Sequence, residues 1–535
     1  MNNAVNLLQQ YISNGQLDKA LVEAKKLLLA NPNNIFIQKL LSHIHNLKED
    51  YRSALEVSNN LLIKHPNDFD CLNNIGYYQM QLEEYKLAEQ FINKAKSINP
   101  SHPAPYQNQS DIYVKLRLFD KALEELDKCI LLHQKHSNDY FNYKSTLILK
   151  IETFIALKKQ SEAVEFIKYY LSIKFDGELL LHLIQISKKD VSKSLIEQCH
   201  KEILDKKFTS KLEKFQKLVP LYFALASFYE KENQETSEEY YIKANKEVSD
   251  IQRLTMIKFQ KSILNKIKNY DAIKDINIEN QEKGLDNIFI FGMPRSGTTL
   301  TESIVTANDE VFGAGELVSF YDLAYRFMLE EKPEIQNMEQ IGDDYIRRTS
   351  FFLQNGKKVV DKLPNNFMFL GYIKKFLPRA KSILLLRDPW DIAISLFKQR
   401  YVANISYASS FFNIGIQISN FEASILYWKR NGLLKNNVMI LRYEDLVNDT
   451  NKYQKDIYDF CGITSSYMPE IREKFFAKTA SLNQVQNKIH SESVKKQDFT
   501  KLKAEFLDAF LSQRSFWHSR GVIESINGNF FDYEL

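Results

Sequence analysis

Apolar residues at the front of the chain recur three and four positions apart, which predicts amphipathic helices. Over residues 1–136 this pattern itself repeats with a period of about 34 residues. Each unit is predicted to contain two helices, in which a small alanine lets the second helix pack closely and a bulky residue three positions earlier fills the groove. A proline then ends the unit. The alanine position is occupied by Ala20, Ala54, Ala88 and Ala122, and the bulky position by Leu17, Tyr51, Tyr85 and Phe119. The prolines are Pro32, Pro66 and Pro100.

This pattern resembles the tetratricopeptide repeat, although the tryptophan usual in that repeat is missing from the units of residues 1–136. Residues 137–250 are predicted to be degenerate helical repeats, with Ala163 and Ala244 at the alanine position, and residues 251–285 a helical linker. The resemblance implies a curved solenoid that binds an acceptor protein or peptide on its inner face. A purely structural role for the solenoid is the alternative.

The pattern changes in residues 286–535, where short apolar runs alternate with helical patterns. Strand followed by helix, repeated, predicts a parallel sheet with helices on both faces. The predicted fold is therefore an N-terminal all-α solenoid followed by an α/β domain with a central parallel sheet. Ligands bind such sheets at the carboxyl ends of the strands, where each motif below begins. The predicted strands lie in NIFIFG, KVVDK, SILLLRD and VMILRYEDLV.

Composition narrows the class of protein. The chain has 535 residues, 44% hydrophobic and 26% charged, with a net charge of +4. Because Lys and Glu are interspersed, without a concentrated basic face, we expect no nucleic-acid partner. The four cysteines lack the spacing of a zinc or redox site, so we expect buried free thiols. No signal peptide or membrane-spanning run is recognised, so we expect a cytoplasmic protein without a membrane partner.

The stretch FGMPRSGTTL, residues 291–300, follows the first predicted strand and contains Gly292 and Gly297. Its backbone N–H groups and the positive end of the following helix suit a phosphate group. A Walker A loop has lysine after its second glycine, whereas this loop has Thr298, which disfavours hydrolysis of ATP or GTP. Taken alone, the motif is also compatible with an ordinary glycine turn.

A second motif, SILLLRDPWDIAISLFKQR, places Arg387 at a strand end and Ser395 eight residues later on the next helix. An arginine fork at a strand end suits bidentate recognition of phosphate. The alternative is an ion pair between Arg387 and Asp388 or a neighbouring carboxylate.

Together, PRSGTTL and LLLRDPWDIAIS resemble the sulfotransferases that use 3′-phosphoadenylyl sulfate. The likeness is to the branch that contains tyrosylprotein sulfotransferases and bacterial tetratricopeptide–sulfotransferase fusions. It implies 3′-phosphoadenylyl sulfate as the donor co-substrate and no metal. The family's 5′-phosphosulfate loop corresponds to Arg295, Ser296, Gly297, Thr298 and Thr299, and its 3′-phosphate contacts correspond to Arg387 and Ser395.

The same resemblance implies the catalytic residues. Glu316, in VFGAGEL, corresponds to the catalytic base, and Lys362, in DKLP, corresponds to the transition-state lysine. Ser481 corresponds to the serine at the sulfuryl group, and Arg295 belongs to the same catalytic set. Tyr443, in LRYEDL, resembles the tyrosine on the adenosine side.

A late segment, TASLNQVQNKIHSESVKK, resembles the family's nucleotide-binding segment, with Gln484, Val485 and Lys496 at matching positions. The chain departs from the family at three positions that bear on donor affinity. Gln399 and Gln486 stand where the resemblance leads us to expect arginine, and Gln497 stands where it leads us to expect tryptophan.

Sulfuryl transfer between two oxygens needs stabilisation of charge on the bridging oxygen and a base for the acceptor's proton. Lys362, Ser481 and the loop amides suit the first need, and Glu316 suits the second. We therefore predict a sulfotransferase that acts on a hydroxyl, preferably a protein or peptide tyrosine presented by the repeats. The alternatives are a carbohydrate or small-metabolite acceptor, a non-catalytic adaptor, and a P-loop kinase or hydrolase. The oligomeric state is left open, a dimer included.

Overall fold

A computed structural model describes most of the chain. The chain divides into two compact units, residues 1–153 and 154–535. The boundary between the units falls inside a helix. The described residues are 2–136, 143–205, 208, 211–251, 269–276, 281–329, 335–353, 358–401, 405–473 and 499–524.

Helical pairs build the first unit, and the second helix of each successive pair begins at the bulky position of the predicted repeat. The recurring alanines at positions 20, 54, 88 and 122 are 0% exposed. The helix positions and the burial of these alanines agree with paired helices of this period, and the bounds 1–136 of the repeats stay a prediction. The helices are α1 (Asn2–Ser13), α2 (Leu17–Ala30), α3 (Ile35–Leu47), α4 (Tyr51–Lys64), α5 (Phe69–Gln81), α6 (Tyr85–Ile98), α7 (Ala104–Lys115), α8 (Phe119–His136) and α9 (Lys144–Ala156).

The turn inside each repeat contains one residue in the left-handed region of backbone conformation. Gly15 has φ 68°, and Glu49, Glu83 and Arg117 occupy the equivalent positions of the next repeats with φ 58°, 63° and 58°. Lys158, with φ 57°, lies at the same place before the next helix. For a residue with a Cβ this conformation costs roughly 1 kcal/mol or more. Of these turns, only the first has the glycine that relieves this cost.

Further helices open the second unit: α10 (Gln160–Ile173), α11 (Gly177–Ser187), α12 (Lys193–Asp205), α13 (Lys211–Tyr229) and α14 (Gln234–Ile251). Residues of α11, α13 and α14 belong to the same buried hydrophobic cluster as residues of the sheet domain. Asn245 of α14 donates from Nδ2 to the carbonyl oxygen of Phe397 at 2.8 Å. These helices are thus part of the core that supports the sheet.

The centre of the second unit is a five-stranded sheet in the order β2-β3-β1-β4-β5. All neighbouring strands are parallel; Ile290 lies opposite Ile383, which lies opposite Met439. The predicted α/β fold with a central parallel sheet is confirmed. The strands are β1 (Asn287–Gly292), β2 (Val311–Gly313), β3 (Lys358–Asp361), β4 (Lys381–Leu386) and β5 (Val438–Arg442).

The two faces of the sheet are packed against two different cores. Ile288 and Ile290 of β1 belong to one buried cluster, and Phe289 and Phe291 belong to the other. Because side chains alternate between faces along a strand, a strand covered on both sides is apolar at every position. This explains why the predicted strands appear as continuous apolar runs.

The remaining helices connect or flank the strands. The α-helices are α15 (Thr298–Val305), α16 (Ser319–Leu329), α17 (Ile335–Thr349), α18 (Leu370–Phe376), α19 (Pro389–Phe397), α20 (Phe411–Arg430), α21 (Tyr443–Asn448), α22 (Thr450–Cys461), α23 (Pro469–Glu473) and α24 (Lys503–Ser519). Short 3-10 helices span Lys188–Asp190, Ser350–Leu353, Pro364–Phe369, Ser406–Ser409 and Thr500–Leu502.

Two local features differ from the sequence prediction. Strand β2 is absent from that prediction, because three residues are too few to show a period of alternation. The run VMILRYEDLV is not one strand: pairing with β4 ends at Arg442, and helix α21 begins at Tyr443.

The four cysteines are buried and free, as predicted: Cys71, Cys129, Cys199 and Cys461. Burial raises the pKa of the Cys199 thiol to about 12, so this group is unreactive at neutral pH. None of the helices in the described ranges combines the length and apolar character needed to cross a lipid bilayer.

Candidate active site

The carboxyl end of each described strand leads into a residue or loop that the sequence analysis assigns to the site. Loop 293–297 follows β1, Glu316 follows β2 and Lys362 follows β3. Arg387 follows β4 and Tyr443 follows β5. Since parallel strands end at one edge of the sheet, the order of the strands brings these residues to a common edge.

The loop after β1 reverses through two left-handed residues, Arg295 at φ 73° and Gly297 at φ 100°, before α15 begins at Thr298. A Cβ at position 297 would lie 2.5 Å from Cδ2 of Tyr443, so glycine is required there. The hydroxyl of Ser296 is buried and has no hydrogen-bond partner in the described part of the chain. A buried hydroxyl of this kind beside a helix N-terminus fits an anionic ligand.

Arg295 connects this loop to the helix that follows β4. Its Nε donates to Oγ of Ser395 at 2.8 Å, and Nη1 of Arg387 donates to the carbonyl oxygen of Arg295 at 2.8 Å. Burial lowers the pKa of the Arg295 guanidinium, with a smaller lowering by the charge of Arg387. The family resemblance implies that Arg295 and Ser395 contact opposite ends of the donor, but in this structure their side chains contact each other.

Arg387 stacks on the aromatic ring of Tyr443, with its guanidinium carbon 4.2 Å from the ring centroid. This distance is that of a cation–π contact, which holds the fork of the arginine at the sheet edge. The neighbouring Asp388 caps α19, because its Oδ1 accepts from the backbone N–H groups of Trp390 and Asp391 at 2.9 Å.

Lys362 lies between two carboxylates. Its Nζ is 2.6 Å from Oε1 of Glu316 and 4.0 Å from Oε2 of Glu302. The side chains of Lys362 and Glu302 are 0% exposed, whereas that of Glu316 is 41% exposed. The base predicted at Glu316 is therefore open to solvent, and the cation predicted at Lys362 is not.

Tyr401 is a further polar group near the site. Burial raises the pKa of its phenol to about 12; the charge of Arg295 opposes this shift and that of Glu316 adds to it. Its hydroxyl is buried and has no hydrogen-bond partner within the described ranges. The phenol is thus protonated at neutral pH and able to donate a hydrogen bond to a bound ligand.

Gln399, at the position where arginine is expected, donates from Nε2 to the carbonyl oxygen of Arg400 at 3.2 Å. The cations on either side of it are engaged elsewhere. Lys398 lies 3.3 Å from Glu230, and Arg400 forms an ion pair with Glu178. Neither flanking cation therefore takes the place of the expected arginine in this structure.

Part of the predicted site lies outside the described residues. The predicted catalytic residue Ser481 lies there. So do the predicted nucleotide-binding residues Gln484, Val485 and Lys496, and two departures from the family, Gln486 and Gln497. Their roles stay predictions from the family resemblance.

Glu302 and Tyr401 were missed by the sequence analysis. Glu302 lies in α15, whose residues are all buried, and a single acid in such a helix was the available signal. Tyr401 follows two cations and a glutamine after α19, and nothing in that pattern distinguishes it from a surface tyrosine.

Comparison with known proteins identifies the class of this domain. Residues 287–467 match the model of the sulfotransferase family, and residues 2–163 match that of the ChAPs, or Chs5p-Arf1p-binding proteins. An Aquifex aeolicus (strain VF5) protein named "Uncharacterized protein" is 29% identical over 229 residues, 39% of this chain and 30% of that protein. A Caenorhabditis briggsae "Putative protein-tyrosine sulfotransferase" is 27% identical over 121 residues, 21% of this chain and 43% of that protein. The chain thus spans less than half the length of these relatives.

Two solved structures show a weaker likeness. The sulfotransferase domain of the Synechococcus PCC 7002 olefin synthase is 18% identical with a TM-score of 0.30, covering 45% of this chain and 97% of that one. A thermophilic tetratricopeptide-repeat protein of Thermus thermophilus is also 18% identical with a TM-score of 0.30, covering 35% of this chain and 97% of that one. Both TM-scores lie below the value at which a shared fold would follow.

The matched segment contains β1 to β5 and the loop after β1. Residues 287–467 therefore match a sulfotransferase-family domain, and in the sequence they follow a helical array that resembles tetratricopeptide repeats. The family resemblance stated from the sequence is confirmed at this level.

Proposed function

We propose that this domain transfers the sulfuryl group of 3′-phosphoadenylyl sulfate to the hydroxyl of a protein or peptide tyrosine. The observation that carries the proposal is the 2.6 Å contact between Nζ of Lys362 and Oε1 of Glu316. A cation and a base are paired at two strand ends of the sheet that also carries the anion-binding loop. In-line transfer between two oxygens needs this combination.

The donor would be bound through its two phosphate-bearing ends. The loop amides, the buried Ser296 hydroxyl and the hydroxyls of Thr298 and Thr299 would take the 5′-phosphosulfate. Arg387 and Ser395 would take the 3′-phosphate, and Tyr443 would lie beside the adenosine. Arg295, which contacts Ser395 at 2.8 Å, would reorient toward the sulfuryl group or bridge the two ends.

The reaction moves one group and one proton. The acceptor oxygen attacks sulfur while the bond between sulfur and the bridging 5′-phosphate oxygen breaks. Glu316 accepts the proton of the acceptor hydroxyl, a contribution typically on the order of 10² to 10⁴ in rate. Lys362 and the loop amides stabilise the charge that develops on the departing oxygen, and Ser481 joins them on the family resemblance.

A tyrosine acceptor is supported by a relative, by the helical repeats and by the chemistry of the site. The Caenorhabditis briggsae relative carries that activity in its name, and helical repeats precede the domain, a fold that commonly holds peptides. A phenol, with a pKa near 10, becomes a good nucleophile as Glu316 removes its proton. The half-exposed Glu316 gives a bulky acceptor access to the base.

No metal is needed for this proposal, because fixed cations and amides neutralise the donor. Among the described residues, no cluster of three or more His, Cys, Asp or Glu side chains could hold a metal ion. The positive charges of Lys362, Arg295 and Arg387 would balance the negative charges of the donor.

Titration calorimetry with adenosine 3′,5′-bisphosphate tests the donor site. Saturable binding is expected for the full chain, and no binding at millimolar nucleotide would refute the enzyme proposal. Incubation of a cell extract with the protein and labelled donor, followed by mass spectrometry, then identifies the acceptor. Sulfated tyrosine in peptides supports the proposed acceptor, whereas label only in carbohydrates or small metabolites would replace it with the alternative acceptor class.

A further inference from the structure

We propose that Glu302 is a positioning residue of the transfer reaction, which holds Lys362 and the backbone before Glu316 in their working geometry. This inference rests on the proposed function of Lys362 and Glu316. Glu302 lies in α15, directly behind the anion-binding loop, and its side chain is 0% exposed.

The two oxygens of Glu302 contact two different strand ends. Oε1 accepts a hydrogen bond from the backbone N–H of Gly315 at 3.2 Å, and Oε2 lies 4.0 Å from Nζ of Lys362. A third contact closes the arrangement, because the backbone N–H of Lys362 donates to the carbonyl oxygen of Gly315 at 2.9 Å. One carboxylate thus connects the helix after the β1 loop with Lys362 and with the backbone directly before Glu316.

A buried carboxylate is expensive to place in a folded protein. Removing its charge from water costs several kcal/mol, which a pairing cation and hydrogen bonds must offset. The neighbouring Leu300 and Ile304 of α15 are buried apolar residues, so packing alone would be met by another apolar side chain. The presence of an acid at this position therefore points to its contacts with Gly315 and Lys362.

The second carboxylate has a role in the charge balance of the reaction. Before transfer, Glu316 and Glu302 share the ammonium of Lys362. When Glu316 accepts the acceptor's proton, it becomes neutral and its attraction for Lys362 weakens. Glu302 then remains as the fixed counter-charge, so that Lys362 stays at the strand end while the departing oxygen becomes negative. The side chain of Glu302 is 0% exposed, so its position beside Lys362 is fixed by the surrounding core.

Two substitutions separate the charge of Glu302 from its hydrogen bond. Glu302→Gln keeps an acceptor for Gly315 and removes the charge, whereas Glu302→Leu removes both. We expect Glu302→Gln to lower kcat on the order of tenfold to a hundredfold, with the Kd for adenosine 3′,5′-bisphosphate within about threefold of wild type. Ser303→Ala is the matched control, since Ser303 is buried in the same helix and its hydroxyl donates to the carbonyl oxygen of Leu300 at 2.7 Å.

The pH profile distinguishes positioning from a structural effect. The charged groups near the base are Lys362, Glu302 and Arg295. The phenol of Tyr401 is titratable but neutral below about pH 12. Loss of the negative charge of Glu302 changes the electrostatic field at the Lys362–Glu316 pair, so the acidic limb of kcat/KM should move to lower pH in Glu302→Gln. A merely destabilised variant would keep the wild-type limb. Wild-type kcat and an unmoved limb in Glu302→Gln would overturn the proposal.

A stability measurement tests the same contact without relying on activity. The experiment is a double-mutant cycle of Glu302→Gln, Lys362→Met and the double variant. The stability of each full chain is measured by urea unfolding, monitored by tryptophan fluorescence. We expect a coupling of about tenfold in the unfolding constant, equivalent to about 1.4 kcal/mol. Additive effects would refute the direct contact. If the two substitutions are coupled but the wild-type protein transfers no sulfuryl group, the pairing of Glu302 with Lys362 stands and the proposed function is wrong.

Discussion

Nζ of Lys362 lies 2.6 Å from Oε1 of Glu316, and the lysine side chain is fully buried while the glutamate side chain is 41% exposed. The pair therefore has a covered end and an open end. In the proposed reaction, the acceptor would reach the carboxylate from solvent, and the ammonium of Lys362, whose side chain is 0% exposed, would face the donor. The acceptor and the donor's bridging oxygen would therefore lie on opposite sides of the pair.

The first prediction concerns the open end of this pair. Glu316→Gln should lower kcat by roughly 10² to 10⁴, because the amide cannot accept the acceptor's proton. Binding of adenosine 3′,5′-bisphosphate should change little, since the amide of the variant still offers an oxygen to Lys362. Transfer of labelled sulfuryl groups and calorimetry measure the two quantities on the same preparation. A variant with more than half the wild-type kcat would exclude Glu316 as the base.

The second prediction concerns the stack of Arg387 on Tyr443, with 4.2 Å between the guanidinium carbon and the ring centroid. Tyr443→Leu should weaken adenosine 3′,5′-bisphosphate binding about fivefold to thirtyfold, as expected for loss of a partly desolvated cation–π contact of about 1 to 2 kcal/mol. Tyr443→Phe is the control that keeps the ring. Calorimetry should place the phenylalanine variant near wild type, and equal losses in both variants would assign the effect to the hydroxyl instead.

The third prediction concerns the left-handed turns of the repeats. Glu49 is exposed and has φ 58°, so Glu49→Gly should stabilise the first unit by about 1 kcal/mol, because glycine adopts this conformation without a Cβ penalty. Gly15→Ala is the reverse control: a Cβ at residue 15 meets no atom within 4 Å, so only the φ of 68° opposes it. Circular dichroism at 222 nm during urea unfolding should show the two changes with opposite sign. Destabilisation by Glu49→Gly would mean that contacts of the glutamate outweigh the backbone strain.

The repeats and the site positions at strand ends could be predicted from the sequence because their signals are local. A residue such as Ala88 recurs at a fixed interval, and loop 293–297 directly follows a continuous apolar run. Each of these features can be identified without knowing what packs against it.

Other features depend on contacts between distant segments, which the sequence does not display. Glu302 becomes informative only when Gly315 and Lys362 are brought beside it, and Tyr401 only when it lies near Arg295 and Glu316. Strand β2 acquires its extended form from pairing with β3, since three residues have little preference of their own.

The fourth prediction concerns a buried contact away from the site, between the carboxyl group of Glu422 in α20 and the guanidinium of Arg514 in α24. Oε1 of Glu422 lies 3.2 Å from Nη2 of Arg514, and the two side chains are 1% and 3% exposed. Burial raises the pKa of the Glu422 carboxyl from 4.5 to about 7, and the charge of Arg514 opposes this shift. The folded state therefore keeps this proton at pH values where the unfolded chain has released it.

The sign of the pH dependence follows from this difference in bound protons. Between about pH 4.5 and 7 the folded state holds more protons at Glu422 than the unfolded state, so this group's contribution to stability falls as the pH rises and is constant above that window. Glu422→Gln should remove this slope, which reaches at most about 1.4 kcal/mol per pH unit in the middle of the window. Urea unfolding at half-unit steps from pH 5 to 8 measures it.

Tryptophan fluorescence is the appropriate signal, because the three tryptophans of the chain, Trp390, Trp428 and Trp517, are all buried in the second unit. Glu505→Gln serves as the control, since Glu505 is an exposed acid on the same helix as Arg514. The difference between wild type and Glu422→Gln should grow in favour of the variant from pH 5 to 7, while the control runs parallel to wild type. A constant difference between pH 5 and 8 would mean that Glu422 is ionised throughout, and that its attraction to Arg514 outweighs the cost of burial.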